Sequence, residues 1–171
     1  MNPDLADIEK IRTAFHKMKT KQDFIDVLNQ AKPFIYGEKA HPFQMRQLTW
    51  YSGSWSAYRR YSQFTIKKKS GGERTINAPV RGLKAIQKTL AFILQCVFEP
   101  HEAATGFTKG RSIVDNARLH ERSFYVYNLD LKDFFPSIEQ ARVWACMQLK
   151  PFYLKDNPPD KESELENTQP D

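Results

Sequence analysis

Asn128-Leu129-Asp130-Leu131-Lys132-Asp133-Phe134-Phe135-Pro136-Ser137 follows directly on the run Phe124-Tyr125-Val126-Tyr127. The run is rich in aromatic and β-branched residues, which predicts a buried strand over Phe124 to Leu129 with the carboxylate of Asp130 at its end. Asp133 follows after one turn, with two aromatic rings behind it. This order suits a metal-binding carboxylate beside an aromatic wall. It equally suits two acids that cap the turn into a following helix, and the spacing alone does not choose between them. Ser137-Ile138-Glu139-Gln140 has capping-box spacing and predicts a helix from there to about Leu149.

Upstream, the apolar positions Leu5, Ile8, Ile11, Phe15 and Met18 recur at three and four residues, and Phe24, Ile25, Val27 and Leu28 continue the pattern. Two amphipathic helices therefore open the chain. Pro42 to Tyr51 predicts a third, ended by Gly53, with Phe43, Trp50, Tyr51 and Trp55 packed against the core. Between Tyr61 and Pro79 the period changes to that of strands on either side of Ser70-Gly71-Gly72, which describes a hairpin. Leu83, Ile86, Leu90, Ile93, Leu94 and Val97 then mark a long helix that ends near Pro100, and Ser112 with Asp115 predicts a short capped helix.

The hydrophobic share of 40% over 171 residues fits a folded domain. The stretch Pro151 to Asp171 holds two lysines against six acidic residues, which leaves 24 basic and 14 acidic residues from Met1 to Lys150. That surplus attracts polyanions, nucleic acid above all, although a merely solvated basic surface has the same composition. The acidic, proline-containing end cannot bury a core and is expected to be flexible. Cys96 and Cys146 lack zinc or disulfide spacing and read as small core residues in a reducing compartment. The longest apolar run, Leu90 to Phe98, is too short to cross a bilayer, so the expected location is cytoplasmic, without a membrane partner.

Three segments occur in an order that resembles the reverse transcriptases of bacterial retrons and group II introns. Phe64-Thr65-Ile66-Lys67-Lys68-Lys69-Ser70-Gly71-Gly72-Glu73-Arg74-Thr75-Ile76 is similar to the family's fingers hairpin. Ala104-Thr105-Gly106-Phe107, with Gly110-Arg111-Ser112-Ile113 and Asn116 to His120, comes next. Asn128 to Phe135 looks like the family's first palm motif. The resemblance runs from about Leu48 to Val143. It implies an α+β polymerase of the right-hand type, with helices and fingers over 1–122, a first palm strand and its helix over 123–150, and a tail or insertion over 151–171.

The resemblance further implies that Asp130 binds catalytic metal, with the main-chain carbonyl of Leu131 as second ligand, and that Phe135 is the gate that collides with a ribose 2′-hydroxyl. Lys68 and Arg74 would close over the incoming triphosphate, where positive charge offsets the charge that builds in phosphoryl transfer. Arg111 and Asp133 would lie near the nucleotide, and Gly110 near the template. Lys67 and Lys69, alternating along the strand with Lys68, would face template backbone or solvent. The implied partners are an RNA template, a DNA primer and deoxynucleoside triphosphates, with two Mg²⁺ ions in the complete enzyme. The family's Tyr-x-Asp-Asp strand and Pro-Gln-Gly motif have no counterpart in these residues, nor has the thumb. The chain thus reads as the front part of a longer enzyme, incapable of polymerisation alone because one aspartate cannot hold two ions. The alternative is a non-catalytic nucleic-acid-binding or regulatory module derived from such an enzyme.

Overall fold

The computed structural model describes residues 3–69, 71–108 and 110–154. The tail from 155 onward and the Trp55 side chain, about which the sequence raises expectations, lie outside the described residues. The chain divides into two compact units, Met1–Val97 and Phe98–Asp171.

The first unit is built on three helices: α1 (Leu5–Lys17), α2 (Lys21–Ala31) and α5 (Arg81–Val97). Each of the first two starts at a reciprocal capping box. Asp4 and Asp7 exchange side chain and backbone bonds at α1, and Thr20 and Asp23 do so at α2. These boxes satisfy amide donors that a helix start otherwise leaves open. The apolar stripes meet in one core, in which Ile11, Phe15, Ile25, Leu28, Ala31, Ile86 and Ile93 are buried. Leu5, expected in the stripe, is exposed at the first turn of α1. The Arg12 guanidinium reaches from α1 to the Cys96 carbonyl at 3.0 Å, satisfying an acceptor in the last turn of α5.

Between α2 and the hairpin lie α3 (Pro33–Tyr36), α4 (Met45–Ser52) and a 3₁₀ segment (Ser54–Arg59). Phe43 joins the core as expected, whereas Trp50 stays partly exposed. The hairpin pairs β1 (Tyr61–Lys67) with β2 (Glu73–Pro79) in antiparallel register, Tyr61 opposite Pro79 and Lys67 opposite Glu73. Every residue of β1 is exposed, while Ile76, Ala78 and Pro79 of β2 are half-buried. A two-stranded ribbon is marginal by itself, and the attachment here is at the base.

The second unit contains α6 (Ile113–Arg118), capped by Ser112 and Asp115 as predicted, and α7 (Gln140–Gln148). α7 begins later than the capping-box spacing indicated. The Ser137 hydroxyl donates to the Phe134 carbonyl at 2.7 Å, so Glu139 takes the N-cap position without a side-chain bond. Cys146 is exposed rather than part of a core. Phe98 and Phe152 stack at 6.0 Å. The strand expected over Phe124 to Leu129 is not formed, and Phe124, Tyr125 and Tyr127 are almost fully exposed. A strand requires a neighbour for its N–H and C=O groups, and the sheet among the described residues consists of β1 and β2 alone. No helix among the described residues is long and apolar enough to cross a membrane.

Candidate nucleotide and nucleic-acid site

The hairpin tip is a tight turn in which Lys68 N–H donates to the Gly72 carbonyl at 3.0 Å and Gly71 N–H to the Lys68 carbonyl at 3.1 Å. Gly71 and Gly72 have φ of +87° and +82°, a region that a residue with a Cβ enters at a cost. β1 therefore ends at Lys67, and Lys68 and Lys69 belong to the turn, which corrects the expectation that all three lysines alternate along the strand. The ladder separates the cations by face. Lys67 lies across from Glu73, on a face with Thr65 and Thr75, while Arg74 lies across from Ile66, on the face of Phe64 and Ile76. Lys67, Lys68, Lys69 and Arg74 are all exposed.

The base of the hairpin is fastened by groups to which no sequence motif pointed. Val80 N–H donates to the Arg60 carbonyl at 2.9 Å, and the Arg60 guanidinium donates to the Gly53 carbonyl and, at 3.5 Å, to the buried Ser56 hydroxyl. The Gln87 amide of α5 donates to the Tyr61 hydroxyl at 2.9 Å. These contacts set where the exposed ribbon leaves the helical core.

In the second unit, Gly110 adopts φ of +79° and the following Arg111 N–H donates to the Thr108 carbonyl at 3.1 Å. Asp115 accepts from the hydroxyl and the backbone N–H of Ser112, both at 2.7 Å. Those bonds hold its carboxyl below the usual range, and the positive charge of Arg111 adds to the effect. Further on, Asp130, Leu131, Asp133 and Phe135 are exposed. Asp133 takes a left-handed backbone (φ +52°), which aspartate tolerates better than most residues, and its carbonyl accepts from Ser137 N–H at 3.0 Å. Because Glu139 is the N-cap of α7, neither Asp130 nor Asp133 caps that helix. The Phe134 and Phe135 rings meet edge to face, with centroids 5.3 Å apart.

Lys67, Lys68, Lys69 and Arg74 thus share a hairpin in the first unit, and Gly110, Arg111, Asp130, Leu131, Asp133 and Phe135 belong to the second. Among the described residues, no three His, Cys, Asp or Glu side chains gather as a metal site.

The chain is 45% identical over 85 residues to the Retron Mx65 reverse transcriptase of Myxococcus xanthus, covering 50% of this chain and 20% of that protein. Identity is 42% over 104 residues to the Retron Mx162 reverse transcriptase of the same organism, 55% of this chain and 21% of that one. It is 40% over 87 residues to the Retron Ec83 reverse transcriptase of Escherichia coli, 51% and 28% respectively. The chain is related to the retron reverse transcriptases. It spans between a fifth and somewhat over a quarter of the length of these retron relatives. No family model matches the chain. No solved structure matches it either.

Proposed function

We propose that this chain supplies the fingers and the first palm segment of an RNA-directed DNA polymerase that copies an RNA template onto a DNA primer. The observation that carries the reading is the retron relatedness over about half of the chain. An exposed, glycine-tipped hairpin bearing Lys68 and Arg74 supports it, since such a ribbon is free to lie against a triphosphate. In this reading the ammonium of Lys68 and the planar guanidinium of Arg74 neutralise charge on the phosphates. Lys67, Lys69 and Gly110 contact template backbone, while Arg111 and Asp133 border the nucleotide. Phe135 discriminates against a 2′-hydroxyl by collision. Mg²⁺, the metal of this reading, would polarise the transferring phosphoryl group, with Asp130 and the Leu131 carbonyl as two of its ligands. The remaining donors must come from residues other than these.

The test is primer extension on an RNA template with Mg²⁺ and deoxynucleotides, by the pure chain and by the Mx65 relative carrying this chain's matched segment in place of its own. The chain alone should not extend. The chimera should extend, lose activity with Asp130→Ala, and accept ribonucleotides more readily with Phe135→Ala. Extension by the pure chain that Asp130→Ala abolishes, or an active chimera indifferent to Asp130→Ala, would overturn the assignment.

A further inference from the structure

From Arg74 to Phe98 the chain contains no aspartate or glutamate; the bounding acids are Glu73 and Glu99. α5 fills most of that interval. Ile86, Thr89, Ile93, Cys96 and Val97 are buried, and the helix packs against α1 and α2. The opposite side is thereby turned to solvent, where Arg81, Lys84, Gln87, Lys88, Ala91 and Gln95 are exposed. Residues 81, 84, 88, 91 and 95 advance by alternating steps of three and four, so they form one stripe along the helix. At roughly 1.5 Å per residue, Arg81 and Lys88 lie about 10 Å apart along the axis.

This stripe differs from the exposed side of α1, where Lys10 has Asp7 at 3.9 Å and Arg12 has Glu9 at 3.0 Å. On α5 the neighbours of Lys84 at three and four residues are Arg81 and Lys88. Like charges at these spacings destabilise a helix, and a polyanion laid over them removes the repulsion. Lys88 is 5.7 Å from the centroid of the Tyr36 ring, yet it remains exposed. Gln87, held by the Tyr61 hydroxyl, joins the stripe to the base of the hairpin.

We propose that Arg81, Lys84 and Lys88 form a track for the phosphate backbone of a nucleic-acid strand. The proposal rests on the polymerase reading above and extends it to a helix face. A lipid surface fits less well. A helix lying in a membrane interface exposes large apolar residues beside its cations, whereas the exposed positions here are Gln87, Ala91 and Gln95, and the large apolar side chains of α5 face the core. The glutamine amides add neutral donors for phosphate or sugar oxygens.

The experiment is fluorescence anisotropy of the full chain with a labelled single-stranded RNA over a salt series. The wild type is compared with the triple variant Arg81→Gln/Lys84→Gln/Lys88→Gln and with Lys68→Gln/Arg74→Gln, each checked for folding by circular dichroism. Each phosphate contact on a single strand contributes about 0.7 to the slope of log K against log salt, so the triple variant should lose about 2 units of slope. Its melting temperature should be unchanged or higher. A triple variant with the wild-type slope overturns the track; if Lys68→Gln/Arg74→Gln then weakens binding, the polymerase reading stands without it. Absence of wild-type binding at low salt counts against both. A triple variant that loses binding to phosphatidylserine vesicles but keeps RNA binding also overturns the track.

Discussion

Asn29→Ala should be among the most damaging single changes outside the apolar core. The Asn29 amide lies on α2 and reaches across fourteen residues to Phe43, accepting from its N–H at 2.6 Å and donating to its C=O at 3.1 Å. Phe43 is buried, and Lys32 Nζ sits 3.6 Å from its ring centroid, so the side chain cannot swing away to let water reach the backbone freely. Alanine leaves one donor and one acceptor without partners. At about 1–3 kcal/mol for each stranded group, and with water reaching part of the site, the loss should be about 2–4 kcal/mol. For a unit of this size that corresponds to a fall of about 10–20 °C in melting temperature. Urea unfolding followed by far-UV circular dichroism measures it. Gln22→Ala is the control, because it removes a bond of similar length, 3.0 Å to Asp26, on the exposed face of the same helix and should cost less than about 0.5 kcal/mol. If Asn29→Ala is as mild as the control, the bridge to Phe43 does not hold the segment ahead of α4 in place.

Gly71→Ala and Gly72→Ala each place a Cβ at positive φ and should cost about 1 kcal/mol of hairpin stability, read as faster hydrogen exchange of the amides between β1 and β2. Acid should loosen the start of α2. The Lys19 and Thr20 backbone N–H groups, with the Thr20 hydroxyl, hold Asp23 below its ordinary 3.8. Its contribution is complete above that value and is lost as the pH falls through the lower folded one. Asp23→Asn should remove this part of an acid titration followed by NMR of the Thr20 and Asp23 amides. Thr20→Ala should cost about 1 kcal/mol at neutral pH through loss of the reciprocal cap, detectable in the same urea assay.

Local chemistry made much of the first unit legible. The three- and four-residue apolar spacing of α1, α2 and α5 and the glycines of the hairpin tip each act through neighbours a few residues away, as does the Ser112 cap of α6 in the second unit. A sequence displays such neighbours directly. The ordered segments around Lys68, Arg74, Asp130 and Phe135 were legible as a resemblance to reverse transcriptases, and the chain is similar to retron reverse transcriptases over about half of its length.

Tertiary structure alone decided what depends on partners distant in sequence. Asn29 with Phe43, Arg12 with Cys96 and Gln87 with Tyr61 join residues that no local pattern connects. The same reason explains the failed strand. Phe124 to Leu129 has the composition of a buried strand, but composition supplies only side chains, and a strand also needs another backbone to receive its hydrogen bonds. Among the described residues none is paired with it, so its aromatic side chains stand in solvent and Asp130 follows a segment without a ladder.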